Sequence, residues 1–311
     1  MSTHIPVMPS EVLRYLRPER GGLFVDCTVG LGGHARLLLE AGATRLIGLD
    51  RDLSALDQAR QTLAPWGDRV ELVHADYRSL ADVLDDRHAG PVDGTLADLG
   101  VSSLQFDSPG RGFSFQRDEP LDMRMDQSGG DTAADLIATA GERELADAIY
   151  AYGEERFSRR IARALVDARG DAPVETTGRL AEIVRRAVPR GGPRRIDPAT
   201  RTFQALRIWV NRELEGLDRF VETAAMRLAN GARLAIIAFH SLEDRIVKHT
   251  MRALDHGREA GIRVLTKKPV VPSDEEIARN PRSRSAKLRV AERVLDTPAD
   301  RFRHLDVGYD V

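Results

Sequence analysis

VDCTVGLGGH, residues 25–34, is an apolar run that closes on an acid, passes through clustered glycines and opens a helical pattern. The apolar run predicts a buried strand. Gly30, Gly32 and Gly33 predict a tight turn whose backbone can approach a ligand closely. Working outward, the same rhythm recurs. Apolar runs stand at 23–25, 46–49, 70–73 and 92–96, and they close on Asp26, Asp50, Asp76 and Asp98. Those acids are spaced 22 to 26 positions apart, which suits a strand, a crossover helix and the next parallel strand. Helical patterns at 35–41, 53–63 and 80–84 fill the gaps. The prediction is a doubly wound, Rossmann-like α/β sheet whose ligand lies along the carboxyl ends of the strands.

The rhythm stops after Asp98. From about residue 104 to 200 no buried strand is expected. Turns rich in Gly, Pro and Asp run to 131, and amphipathic helices follow near 142–150, 155–169 and 179–188. Phe203, Leu206, Val210, Leu214, Leu217, Val221, Ala225 and Leu228 predict one face of a single long helix, stopped by Gly231. A buried strand then resumes at 233–239. The expected domains are therefore 1–103 with 204–311 for the α/β part, and 104–203 for a helical insertion.

Composition sets the class. The 311 residues are 42% hydrophobic and 30% charged, as in soluble globular proteins. No apolar run approaches a membrane span, the N-terminus lacks a secretory pattern, and the lone cysteine, Cys27, excludes an internal disulfide. A cytoplasmic protein with no membrane partner is expected. The net charge of −2 hides an asymmetry. Residues 1–100 carry 10 Arg against 15 acids, whereas 185–212 carry eight Arg (185, 186, 190, 194, 195, 201, 207 and 212) against Asp197. Residues 279–293 carry six more basic groups against Glu292. Two readings compete for these patches: contacts to nucleic-acid phosphates, or solvated helix faces.

The glycine turn is G-x-G-G, not the G-x-G-x-x-G that cradles a pyrophosphate. Asp50 lies 20 residues past Gly30, where a carboxylate can accept both ribose hydroxyls. Asp76 and Asp98 suit a ligand bearing a sulfonium and an adenine amine. Together these favour S-adenosylmethionine over NAD. Tyr77 either stacks on adenine or packs in the core. Cys27 is either a nucleophile, as methylation at cytosine C5 requires, or a small residue packed under the turn. No neighbouring base is apparent, so transfer to a nitrogen or oxygen is expected.

The stretch DLGVSSLQFD, 98–107, leaves the fourth strand where a methyl group should project. Asp98 and the Leu99 carbonyl can accept hydrogen bonds from a base amine and aim its lone pair. In FHSLEDR, 239–245, His240 can bond the base or take the proton after transfer, or be structural, and Ser241 lies on the rim or caps the next helix. No histidine or cysteine spacing suits a metal, so no catalytic metal is expected.

These segments, with HIPVM near the start, RGFSFQRDEPLDMRMD at 111–126, YGEERFSRRIARALV at 152–166 and ATRTFQALRIWVN at 199–211, closely resemble the bacterial small-subunit ribosomal RNA cytosine-N4 methyltransferases, the RsmH/MraW family. The resemblance covers nearly the whole chain. It implies a class I methyltransferase sheet with an inserted RNA-binding domain, and S-adenosylmethionine held by Gly32, Gly33, His34, Asp50, Tyr77, Asp98 and Gln105. The implied partner is 16S rRNA in the small ribosomal subunit, methylated on the N4 amine of a decoding-region cytidine. Cys27 departs from the glycine expected in many relatives, and the segment between Lys268 and Pro281 looks short. Phe113, Phe115, Phe203 and Trp209 are candidate base-stacking groups, although Phe203 and Trp209 lie on the long helix's apolar stripe. A DNA amino-methyltransferase, an NAD-dependent oxidoreductase and a non-catalytic RNA-binding assembly factor are the competing readings. The oligomeric state stays open, a homodimer included.

Overall fold

The computed structural model describes residues 5–189, 197–256 and 261–295, with Ser103 and Leu104 described by backbone alone. The chain forms two compact units: 1–100 with 216–311, and 101–215.

The first unit is built on a seven-stranded sheet. Its strands are β1 (Leu23–Asp26), β2 (Arg45–Asp50), β3 (Val70–His74), β4 (Val92–Asp98), β5 (Leu228–Ala238), β6 (Ile262–Val264) and β7 (Lys287–Arg293), in the order β3-β2-β1-β4-β5-β7-β6. The first five pair in parallel, and β7 runs antiparallel to both of its neighbours. This is the expected doubly wound α/β sheet. Helices α1 (Pro9–Leu16), α2 (Gly33–Glu40), α3 (Leu53–Leu63), α4 (Leu80–Asp86), α11 (Leu217–Met226), α12 (Ser241–His256) and α13 (Asp274–Arg279) complete the unit. Successive strand residues face opposite sides of the sheet, so each strand feeds two cores. Val25, Ile47 and Ile236 join Leu80, Phe220, Val221 and Met251 on one face. Phe24, Leu46 and Ile237 join Val12, Leu38 and Leu56 on the other.

The second unit is helical: α5 (Ser103–Asp107), α6 (Ala133–Thr139), α7 (Glu142–Gly153), α8 (Ser158–Asp171), α9 (Thr177–Ala187) and α10 (Ala199–Asn211). Among its described residues there is no strand, only the isolated bridge of Pro120 with Thr176. Glycine is required at Gly153, where a Cβ would lie 2.5 Å from the Arg201 carbonyl oxygen, so α7 and α10 can meet closely. Asn211 ties the 111–126 segment to α10. Its amide donates to the Met123 carbonyl at 2.7 Å and accepts from the Met125 N–H at 2.7 Å.

Several expectations change. The single long helix is two helices, because Arg212 (φ 50°) and Gly216 (φ 68°) adopt left-handed conformations between α10 and α11. The apolar stripe keeps its phase through this corner, so periodicity alone does not reveal it. Because α10 packs with α7 and α9, the second unit extends to Glu215, and the expected return to the α/β part at 204 moves to 216. Strand β5 begins at Leu228, not 233, with Gly231 (φ 78°) inside it at a register shift. The candidate stacking aromatics are packing groups. Phe113 and Phe203 are buried, Phe115 meets Phe203 with ring centroids 4.8 Å apart, and Trp209 packs against the same core.

The arginine patches also change meaning. Arg190, Arg194 and Arg195 lie outside the described residues. The other five of that run each meet an acid: Arg185 with Asp197, Arg186 with Glu182, Arg201 with Glu155, Arg207 with Glu213 and Arg212 with Glu215. In the second run, Lys287 and Arg289 lie on β7 and both pair with Asp244.

Candidate functional site

The glycine turn leaves β1 and is stitched to both neighbouring strands. Cys27 N–H donates to the Leu96 carbonyl and Val29 N–H to the Leu49 carbonyl, each at 2.8 Å. Gly30 (φ 52°) and Gly32 (φ 81°) take left-handed conformations, and a Cβ on Gly32 would come within 3.1 Å of Leu63 Cγ. Gly33 then opens α2. Cys27 is buried, and burial pushes its thiol well above the ordinary range, which suits the packing reading over the nucleophile.

Asp50, at the end of β2, braces this turn. Its Oδ2 accepts the Gly30 N–H at 2.8 Å and its Oδ1 accepts the Asp52 N–H at 2.9 Å. Burial raises the carboxyl to about 6, against the lowering effect of those two bonds. Each oxygen keeps a further lone pair for a hydroxyl donor.

Asp98 closes β4 one strand away from Asp50's neighbour. Its N–H donates to Thr28 Oγ1 at 2.7 Å, which locks the strand end to the glycine turn. Its Oδ2 lies 3.7 Å from His34 Nε2, beyond hydrogen-bond distance. Among the described residues, four buried atoms around this point have no hydrogen-bond partner: Asp26 Oδ2, both ring nitrogens of His34, and Asp98 Oδ1. Buried polar atoms are rarely left unpaired, so this cluster suits a ligand that brings donors and positive charge. Asp26 is 1% exposed, and burial raises its carboxyl to about 7, against the lowering influence of His34. Thr28 and Asp26 were not among the expected site residues. The signal for Asp26 is its place as the acid closing the first apolar run, and for Thr28 only its place between that strand and the first glycine.

The raised Asp26 value has a consequence for stability. The folded protein holds this proton while the unfolded chain, near 3.8, releases it. Stability from the buried neutral acid is therefore complete below about pH 4 and declines as pH rises toward 7, by about 4 kcal/mol in all. Asp26→Asn cannot ionise, so urea denaturation at about pH 5 and about pH 7 should give closer midpoints than in the parent protein. An unaltered difference between the two pH values would remove Asp26 as its source.

Other expected site residues are engaged differently. Asp76 is neutralised by Arg78, at 2.7 Å, and Arg51, at 3.5 Å. Its burial alone would raise the carboxyl, but the bonds from Arg78 outweigh that and hold it below the ordinary value. It is therefore not a spare acid for a cationic ligand. Tyr77 is half-buried, its ring centroid 4.7 Å from that of Phe220. Gln105 lies in the second unit and forms a reciprocal cap on α5: its Oε1 accepts the Ser102 N–H at 2.9 Å and its N–H donates to Ser102 Oγ at 3.3 Å. His240 caps α12 in the same manner. Its Nδ1 accepts the Glu243 N–H at 3.4 Å, while Glu243 Oε2 accepts the N–H groups of Phe239 and His240. Ser241 is the first residue of that helix, so the cap is made by its neighbours.

The model of the MraW methylase family matches residues 1–294. A protein of Cyanothece sp. named ribosomal RNA small subunit methyltransferase H is 53% identical over 294 residues, covering 94% of this chain and 95% of its own. A protein of the same name from Deinococcus deserti is 53% identical over 292 residues, covering 94% of each chain. Among solved structures, an rRNA methylase from Streptococcus thermophilus aligns over 92% of this chain and 94% of its own, with a TM-score of 0.41 and 12% identity, too distant to bear on function. With matches at this identity spanning nearly all of its sequence, the chain belongs to the MraW methylase family.

Proposed function

We propose that the protein is a ribosomal RNA small-subunit methyltransferase that uses S-adenosylmethionine to methylate the N4 amine of a decoding-region cytidine in 16S rRNA. The observation that carries the chemistry is the unpartnered, buried Asp98 Oδ1 beside the glycine turn. The names of the relatives support the rRNA substrate. The unpaired atoms of Asp26, His34 and Asp98, with the left-handed turn at Gly30 and Gly32, fit the proposed cofactor. When bound, it supplies an electrophilic methyl group on a sulfonium.

The remaining work falls to the chain's own residues. Asp50 accepts the ribose hydroxyls, Gly32, Gly33 and His34 line the turn, and Tyr77 flanks the adenine. Asp98 Oδ1 and the Leu99 carbonyl accept hydrogen bonds from the two amine hydrogens of cytosine. That pulls the nitrogen out of conjugation with the ring and turns its lone pair toward the methyl carbon. The amine nitrogen would take the methyl in line as the methyl's bond to sulfur breaks and the thioether leaves, without a covalent bond between enzyme and base, and the proton it sheds would pass to water at the rim. Alignment of this kind can supply about 7–11 kcal/mol of barrier reduction. His240, held in its helix cap, orients the rim, and Ser241 beside it contributes a hydroxyl there. The helical unit grips the RNA, offsetting the few kcal/mol needed to free a base from its stack. No helix among the described residues is long and apolar enough to cross a membrane, and a ribosomal substrate assigns the protein to the cytoplasm.

Mass spectrometry of small-subunit rRNA from cells with and without the gene tests this reading. N4-methylated cytidine at one decoding-region position should disappear with the gene. Its persistence, or loss of a different nucleoside, counts against the assignment.

A further inference from the structure

All four lysines of the chain, Lys248, Lys267, Lys268 and Lys287, fall between residues 248 and 287. Elsewhere the chain uses arginine for every fixed cation. Two of these lysines line a cavity of about 280 Å³ in the first unit, where α12 passes over β6 and β7, together with Arg252, Asp255, His256 and Arg289. Two of the charged groups already have partners. Arg289 pairs with Asp244 at 2.6 Å, and Asp255 Oδ1 accepts the Val264 N–H at 2.9 Å. Lys248, Arg252, His256 and Lys267 make no side-chain hydrogen bond or ion pair among the described residues.

Cations in the last turns of a helix are stabilised by its dipole, which accounts for Arg252 and His256 without any ligand. It does not account for Lys248, two turns earlier, or for Lys267, which lies beyond β6. Two ammonium groups lining one cavity together with the apolar Met251 and Val264 match one phosphate with its sugar. The cavity falls just below the range that holds drug-sized ligands. Helix α12 starts at the rim beside His240, and its 16 residues extend about 24 Å. The pocket lies along its second half, so only a long substrate can occupy the rim and the pocket together.

We infer that this pocket binds a backbone phosphodiester of the RNA substrate, as a foothold remote from the methyl-transfer site. The inference rests on the rRNA reading above. The test is binding of full-length protein to purified, unmodified small ribosomal subunits over a range of salt concentrations, for the parent and for Lys248→Gln/Lys267→Gln. The double variant should bind on the order of tenfold more weakly at low salt. Its plot of log affinity against log salt should be shallower by roughly 0.7–0.9, as loss of one phosphate contact requires. Calorimetric titration with S-adenosylmethionine should be unchanged, and Lys248→Arg/Lys267→Arg should restore binding. Equal affinity and slope in the Gln variant would overturn the inference, as would failure of the Arg variant to rescue. If the Gln variant loses inorganic phosphate binding but keeps the RNA salt slope, the pocket serves a free anion and the inference again fails. Failure of the parent protein to bind the subunits at all would instead sink the rRNA reading.

Discussion

Asp98→Ala should lower methylation turnover by roughly 10²–10³-fold, the usual cost of removing one preorganised group that acts in the transition state. Binding of the small ribosomal subunit should survive. The separation follows from how Asp98 is held. Its backbone N–H reaches Thr28 Oγ1 whatever side chain is present, so β4 and the glycine turn keep their relation in the variant. Only the carboxylate is lost, and among the described residues its Oδ1 has no partner to be orphaned by the change. An interaction made with the amine as it pyramidalises affects turnover more than substrate affinity. Single-turnover kinetics with saturating cofactor and unmodified subunits would read this directly. Unchanged turnover removes Asp98 from the chemical step.

Asp50→Ala should weaken S-adenosylmethionine binding by on the order of 10²–10⁴-fold, through two charge-assisted hydrogen bonds worth about 1.5–3 kcal/mol each. The loss has two sources. The carboxylate is the proposed acceptor for the ribose hydroxyls, and it also fixes the Gly30 N–H at 2.8 Å. Removing it frees the Gly30 N–H, while the bonds from Cys27, Val29 and Gly32 still hold the rest of the turn. Since burial raises Asp50 to about 6, the parent protein should itself lose cofactor affinity as pH falls through that value, where the carboxyl gains a proton and stops acting as a pure acceptor. Calorimetric titration of both proteins with S-adenosylmethionine and with NAD checks this. An unchanged dissociation constant in the variant defeats the ribose role, and tight binding of NAD alone would favour the oxidoreductase reading.

Much of this was legible in the sequence because the first hundred residues state one pattern four times. Strands buried on both faces must be apolar throughout, and the acid that ends each run marks the rim. What escaped detection had contrary local signals. Strand β7 reads KLRVAER, and its alternating cations look like a basic patch until Asp244 is found paired with Lys287 and Arg289. Strand β6 has three residues, too few for a periodic signal. The acids that neutralise Arg207 and Arg212 are Glu213 and Glu215, which lie one and three residues beyond the arginine-rich run 185–212. The site divides in the same way. Gly30, Gly32, Asp50 and Asp98 follow from spacing along the chain. The bond from Asp98 to Thr28 and the raised Asp26 carboxyl depend on burial between strands 70 residues apart in sequence, which no local window contains.

The most direct measurement is a crystal structure of the protein with S-adenosylhomocysteine and an RNA bearing the target cytidine. A carboxylate oxygen of Asp98 should lie about 3 Å from the N4 amine, with that nitrogen facing the sulfur. An Asp98 side chain turned into the protein interior, or a cytosine presenting another edge to the sulfur, would contradict the account.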